Sequence, residues 1–222
     1  MADIPCYPYK NVNQITLNSL QSATLVQGSV ESIIAALKRL GQPVPEPVYY
    51  PFSLHPYLGR PVWSTQYGKL SNADFPLFVK SHAWKKLTGA VQTSYNSNIP
   101  DTLQVWCSTP VNFVAEWRVY VQGGKIIHAA RYDDNADDLP MSLNWETVVK
   151  AIHRLDSEHP RASYAFDWGL TEDGQTLLIE NNDAWAIGAY GDISPMAYSE
   201  FLIARWKEVT GNHAERPIAI GM

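Results

Sequence analysis

Glu116-Trp117-Arg118-Val119-Tyr120-Val121-Gln122-Gly123-Gly124-Lys125-Ile126-Ile127, running on to Arg131, reads as two alternating strands joined by a Gly-Gly turn. Glycine accepts the positive φ that a two-residue hairpin turn requires at both central positions, so the dipeptide marks the turn and sets the pairing. Gln122 then lies opposite Lys125, Arg118 opposite Ala129, and Glu116 opposite Arg131. Because side chains alternate along a strand, Glu116, Arg118, Tyr120 and Arg131 share one face. Trp117, Val119, Val121, Ile126 and His128 share the other, which reads as core. Three charged residues on the remaining face make it a candidate site.

A second hairpin, Ala165 to Asn182, turns near Asp173-Gly174. A two-residue turn there sets Asp167 directly opposite Glu180, with Asn182 two residues along the same face. Phe166, Trp168, Leu170, Leu177 and Ile179 form the apolar face. A longer Thr-Glu-Asp-Gly loop would instead set Asp167 opposite Leu178. Directly opposed residues have Cβ atoms only ~4.5–5.5 Å apart, and like charges there repel. Two carboxylates in that position call for a cation between them. Three oxygen donors without histidine or cysteine suit magnesium.

Outward from the hairpins, Leu77-Phe78-Val79-Lys80 and Leu103 to Ser108 read as further strands. Asn144 caps a helix from about Trp145 to Leu155, and a last helix runs from Pro195 to about Val209. Near the start, Ala23 to Gln27 reads as a strand. Gly28-Ser29 turns it into a helix from Val30 to Leu40, with Ser29 as cap and Gly41 as stop. Gln42 to Pro61, rich in proline and tyrosine, should run extended across a surface. Residues 62–75 form a soft boundary, giving an N-terminal βα region over 1–70 and a main domain over 71–222. Strands arriving as antiparallel hairpins among helices make the class α+β.

Composition limits what this fold can serve. Hydrophobic residues make up 45% of the 222 and charged residues 18%, enough apolar material for a core. The net charge of −5 disfavours nucleic acid, whose binding needs dense Lys and Arg. No apolar run approaches the ~20 residues of a membrane span, and no charged-then-apolar leader opens the chain. Two cysteines without paired spacing argue against a disulfide scaffold or a cysteine zinc site and for a cytoplasmic setting. Cys107, in an apolar strand, reads as a small buried hydrophobe. On residue type alone, Glu116, Arg118 and Arg131 would make an ordinary cross-strand ion pair, worth under ~1 kcal/mol if exposed.

The ordered set resembles the ATP-grasp superfamily over about residues 75–192. Glu116 to Arg131 looks like its "acid-x-Arg-x-Phe-Val-x-Gly-Gly" hairpin, Phe166-Asp167-Trp168-Gly169 and Leu178-Ile179-Glu180-Asn181-Asn182 like its closing acidic strand and Glu-x-Asn motif, and Phe78-Val79-Lys80 like its strand-borne lysine. The likeness is closest to ligases that add amino acids to carboxylates, and the short chain resembles a compact phage and bacterial clade. The resemblance implies two α+β subdomains gripping ATP, with a reduced N-terminal βα piece, in the cytoplasm of a cell or of a phage's host. Lys80 would contact the α- or β-phosphate, with Lys85 or Lys86 reaching in from a loop. Trp106, Cys107 and Ser108 would form the hinge beside adenine, and Glu116, the hairpin's acid, would join the nucleotide-binding set.

Arg118 and Arg131 would stabilise the γ-phosphate and an acyl phosphate, while Asp167, Glu180 and Asn182 would hold Mg2+. The implied reaction is ATP-dependent joining of a carboxylate to an amine, the substrates being an amino acid, a peptide or a related small molecule. Asp133, Asp134, Asp183, Trp185 and Tyr190 are the candidates for the acceptor site. A homodimer or a protein partner stays open as the source of further substrate surface. Two other readings stand beside this one. The first is a kinase-like or regulatory nucleotide binder that does not ligate. The second is an interaction module docking through the aromatic 43–63 segment.

Overall fold

The computed structural model describes residues 6–83, 87–133, 141–211 and the backbone of 219–221. In chain order the first elements are β1 (Cys6–Pro8), α1 (Leu17–Ser22), β2 (Leu25–Val26) and α2 (Val30–Arg39). They are followed by β3 (Val62–Gln66), β4 (Leu77–Ser81), β5 (Ala90–Gln92) and β6 (Gln104–Ser108). The long hairpin β7 (Phe113–Gln122) and β8 (Lys125–Arg131) leads to α3 (Trp145–Glu158). The last elements are β9 (Ser163–Thr171), β10 (Thr176–Asp183), α4 (Pro195–Thr210) and β11 (Ala219–Gly221). Two antiparallel four-stranded sheets result, ordered β10-β9-β7-β8 and β3-β6-β4-β5, and a small parallel sheet orders β1-β11-β2. The class is α+β, as expected.

Local chemistry accounts for the helix ends. Asn144 accepts a hydrogen bond from the Thr147 amide at 3.2 Å, Ser29 accepts one from Ser32, and Ser194 accepts one from Ala197 ahead of Pro195. α3 lays Val148, Ala151, Ile152 and Leu155 against one face of the β10-β9-β7-β8 sheet, over Trp117, Val119, Phe166 and Trp168. On the opposite face Tyr120 and Ala165 are buried under the N-terminal region and α4, with Ile33, Leu37, Phe201 and Trp206. That cover ends one pleat short of Arg118 and Asp167. The charged pair therefore lies at the rim of an apolar layer, facing the second sheet, whose own core is Tyr67, Leu77, Val79, Val105 and Cys107.

Register decides which side chains reach that rim. Gly123 and Gly124 form the first turn, at φ 55° and 72°, and Gln122 opposes Lys125 as expected. A β-bulge at Ile127 then shifts β8 by one residue, so Tyr120 opposes His128, Arg118 opposes Ala130, and Trp117 opposes Arg131. This corrects the expected face. Arg131 falls in line with core-facing Trp117 instead of Glu116, and His128 leaves the core set for the Tyr120 side.

The second hairpin departs twice. Its turn is longer, closed by bonds from the Thr171 amide to the Gln175 carbonyl and from Gly174 to Thr171, and Trp168 opposes Leu178. Leu178 is therefore the core residue, not Leu177 or Ile179. A bulge at Ile179 then restores the anticipated pair, Asp167 opposite Glu180.

The 43–63 segment is no free docking surface. Tyr49, Tyr50, Leu54 and Leu58 are buried in the α3-side core, a 3-10 turn covers Phe52–Tyr57, and of the segment's aromatics Phe52 stands out at 84% exposed, with Trp63 exposed to a lesser degree. β3 and β5 had no counterpart in the sequence reading, and β3 joins the second sheet by pairing with β6.

Candidate functional site

The site is built where the two four-stranded sheets approach each other. From β7, Arg118 donates to both oxygens of Asp167 on the adjacent β9, Nε to Oδ1 at 2.8 Å and Nη2 to Oδ2 at 2.7 Å. From β10, Asn182 donates Nδ2 to the same Oδ2 at 3.0 Å. Across the gap, Lys80 on β4 pairs with Glu180 on β10, its ammonium also 3.5 Å above the Tyr49 ring. The opposed carboxylates thus do have cations, one each, and both come from the protein. That offsets part of the electrostatic penalty that pointed to a metal between them.

The donor set nevertheless fits magnesium. Asp167 is 3% exposed, and burial, the largest influence, raises its carboxyl while the Arg118 guanidinium holds it down; with Glu180 nearby the carboxyl is pushed up to about 6. Even with a bidentate partner, the anionic form at this position lacks compensation that a further cation would provide. Among the described residues no three His, Cys, Asp or Glu converge as a metal cluster. An ion here would have two carboxylates and the Asn182 amide oxygen, the rest of its shell being water or phosphate, which suits magnesium.

Arg118 is walled by aromatic rings. Tyr190 and Tyr132 stack on each other at 4.9 Å and 21°, with the Arg118 carbon 4.8 Å from the first ring and 5.7 Å from the second. Tyr132 donates its hydroxyl to Glu116 at 2.8 Å. The Tyr120 hydroxyl accepts from the Tyr190 amide at 2.8 Å and donates to the Gly188 carbonyl at 3.0 Å, fixing the loop that lays Tyr190 over the arginine. Burial pulls the Arg118 guanidinium down, but its bonds to Asp167 outweigh that, so it stays protonated.

Beside the Lys80–Glu180 pair lies a cavity of about 280 Å³ lined by Tyr50, Arg60, Phe78, Ser108, Glu116 and Ile179 together with the chain 109–111. Of the anticipated hinge, Ser108 and not its neighbours reaches this cavity. Trp106 sits inside β6, stacked on His82 at 4.4 Å, and Cys107 points into the second sheet's core, where burial pushes its thiol up to about 11. The cavity wall continues into Thr109, Pro110 and Val111, which sequence reasoning missed. The Thr-Pro dipeptide that ends β6 was the available signal.

Arg131 is not brought to Arg118. It makes a bidentate pair with Asp133, Nε to Oδ2 at 2.7 Å and Nη2 to Oδ1 at 2.9 Å, and lies 5.8 Å from the Trp117 ring. Asp133 also accepts from the Glu116 amide. Asp183 is buried and bound by Arg205 through both of its oxygens, a structural tie between β10 and α4. Trp185 is buried in the N-terminal-side core, and Tyr190 remains at the site. Lys85, Lys86 and Asp134 lie outside the described residues.

Residues 57–201 match a family model of the ATP-grasp domain, the second family of its clade. No curated protein matches the chain. Among solved structures it is similar to macrocyclase MdnC bound with precursor peptide MdnA from Microcystis aeruginosa MRC, at 16% identity over 72% of this chain and 58% of that one, TM-score 0.43. It is similar to ATP-grasp ligase PsnB complexed with minimal precursor, at 14% identity over 86% of this chain and 61% of that one, TM-score 0.43. It is also similar to D-alanine–D-alanine ligase from Bacillus anthracis complexed with ATP, at 16% identity over 68% of this chain and 60% of that one, TM-score 0.45. The chain spans less than two thirds of the length of each.

Proposed function

The chain belongs to the ATP-grasp superfamily, and on that premise we propose that it is an ATP- and magnesium-dependent ligase joining a carboxylate to an amine. The observation that carries the reading is the meeting of Lys80 and Glu180 from separate sheets, with Arg118, Asp167 and Asn182 on the same sheet as Glu180 and a cavity of about 280 Å³ lined by their strand neighbours Phe78 and Ile179.

Each residue has a task in that reaction. Phe78, Ile179 and the 109–111 backbone take the adenine. Lys80 leaves Glu180 for the phosphates. Asp167, Glu180 and Asn182 would hold magnesium, whose charge would offset that of the phosphates. A substrate carboxylate oxygen attacks the γ-phosphorus as the bond to ADP breaks, giving an acyl phosphate. The amine then attacks the acyl carbon, phosphate leaves, and the nitrogen gives up a proton. Arg118 supplies fixed positive charge to the transferring group from a water-poor setting, where such charge is worth most. Its aromatic walls, Tyr190 and Tyr132, cover one side of the guanidinium. The carboxylate belongs to an amino acid, a peptide or a related small molecule.

A second reading, nucleotide binding without ligation, draws on the self-neutralised state of the site, in which each carboxylate already has its protein cation. Thermal unfolding with and without ATP and Mg2+, on wild type and Glu180→Ala, tests the shared part of both readings. A magnesium-dependent stabilisation lost in the variant supports the site. ADP release that appears on adding amino acids selects ligation, and binding without any release selects the second reading.

A further inference from the structure

β10 is the outer strand of its sheet, and its open edge is covered by the segment 48–60. At one end the Asn181 amide donates to the Tyr49 carbonyl at 3.0 Å, and Asn181 Nδ2 donates to the Val48 carbonyl at 2.6 Å. At the other, Gly59 runs so close to β10 that a Cβ there would meet the Leu177 methyls at 2.5 and 2.7 Å, and its φ of +61° is one that side chains disfavour. Between these two ties falls the bulge at Ile179.

A bulge turns carbonyls out of the ladder, and each must find a donor or water. Here the donor is Arg60. Its Nη1 binds the Leu58 carbonyl at 2.8 Å and the Leu178 carbonyl at 2.9 Å, and its Nη2 binds the Ile179 carbonyl at 3.1 Å. The same guanidinium lines the cavity beside Glu180 and lies 5.9 Å from the Phe113 ring. Without the bulge, the pairing seen at Trp168 and Leu178 would continue and set Asp167 opposite Ile179, turning Glu180 to the other face.

We propose that Arg60 is the positioning residue of the site: by holding the Leu178 and Ile179 carbonyls it fixes the bulge that delivers Glu180 opposite Asp167. The inference rests on the reading above, in which those carboxylates face a metal-bound nucleotide. Arg60 itself touches neither. Groups that orient a metal's ligands without binding it typically change metal affinity by about 10–100-fold when removed.

The test titrates Mn2+ by electron paramagnetic resonance in the presence of a non-hydrolysable ATP analogue, on wild type, Arg60→Met and Arg60→Lys, with unfolding temperatures measured alongside. Arg60→Met should weaken Mn2+ binding about tenfold or more, with Arg60→Lys intermediate. Affinity for the analogue in EDTA, measured on the same variants, reports the part of any loss that comes from the cavity wall Arg60 forms, and the Mn2+ loss should exceed it. A lowered unfolding temperature with wild-type Mn2+ affinity in both variants would overturn the inference, leaving Arg60 a staple for the strap. Should Arg60→Met not fold, Arg60→Lys decides by the same measure. Wild type that binds no Mn2+–nucleotide at all would overturn the proposed function first, and this inference with it. That failure differs from a wild type that binds and variants that match it.

Discussion

The β7–β8 and β9–β10 hairpins form the two halves of one sheet, and the pairing within each is shifted by one bulge, yet these two bulges act in opposite senses. In the first, an ordinary Gly-Gly turn sets the register, and the bulge at Ile127 carries Arg131 away from Arg118. In the second, a longer turn sets a register that would separate Asp167 from Glu180, and the bulge at Ile179 brings them together. A turn therefore dictates pairing only as far as the next bulge. Which charged residues share a face depends on the bulge, and at β10 the bulge is held by a residue from another part of the chain.

The strongest way to break this comparison is to remove the anion at its centre. Asp167→Ala leaves Arg118 buried without its bidentate partner, and loss of one member of a buried pair typically costs about 3–5 kcal/mol. Chemical denaturation should show a loss of that order. A loss under ~1 kcal/mol would mean that water reaches Arg118 freely and compensates it for the lost carboxylate. Next in size, Glu180→Ala should erase the ATP- and magnesium-dependent stabilisation, about 2.7 kcal/mol at a hundredfold excess over Kd, while the fold persists. Retention of the full stabilisation would show that the restored register does not serve metal binding.

A smaller effect sharpens the role of Asp167 and has a definite sign. Its carboxyl is pushed up to about 6 from an ordinary value of 3.8, chiefly by burial. A raised folded-state value contributes stability that is fully present below about pH 4 and lost as pH rises through about 6. Magnesium–nucleotide binding requires the deprotonated form, so its affinity should run the other way, rising over the same window by up to about tenfold per pH unit. Calorimetric titrations between about pH 4.5 and 7 with wild type and Asp167→Asn check this, and a flat wild-type profile would sink it.

How much of this was legible follows from where the forces act. Alternation placed Trp117, Val119 and Phe166 in the core, and Asn144, Ser29 and Pro195 announced helices whose far ends fall within a turn of those expected. Local rules are written in neighbouring residues, so they can be read there. The pairing of Asp167 with Glu180 was anticipated from a turn that is not the one present, and it holds because of Arg60, 119 residues before Ile179. No local signal links those two. Lys80 was expected, from the resemblance, to contact the α- or β-phosphate, but the carboxylate it pairs with lies in another sheet, beyond any window of sequence. The tyrosine- and proline-rich segment looked like surface because prolines break ladders; its tyrosines were the better guide, since large aromatic rings gain most from burial.

Arg131 offers the finest test of the contrast between the hairpins. Sequence pattern gives it the same standing as Arg118: both are arginines on one hairpin, both expected on one face. The bulge at Ile127 separates them, setting Arg131 against Trp117 and into a pair with Asp133, while Arg118 keeps Asp167. Arg131→Ala should therefore cost stability, because it leaves Asp133 without its bidentate partner, but change turnover by less than about twofold, whereas Arg118→Ala should lower kcat by orders of magnitude more than it weakens ATP. Equal losses of turnover in the two variants would mean that the hairpin repacks around substrate until Arg131 faces the phosphates. The bulge would then be a hinge and not a fixed offset. Unequal losses would establish that one extra residue in β8 decides which of two arginines the reaction uses.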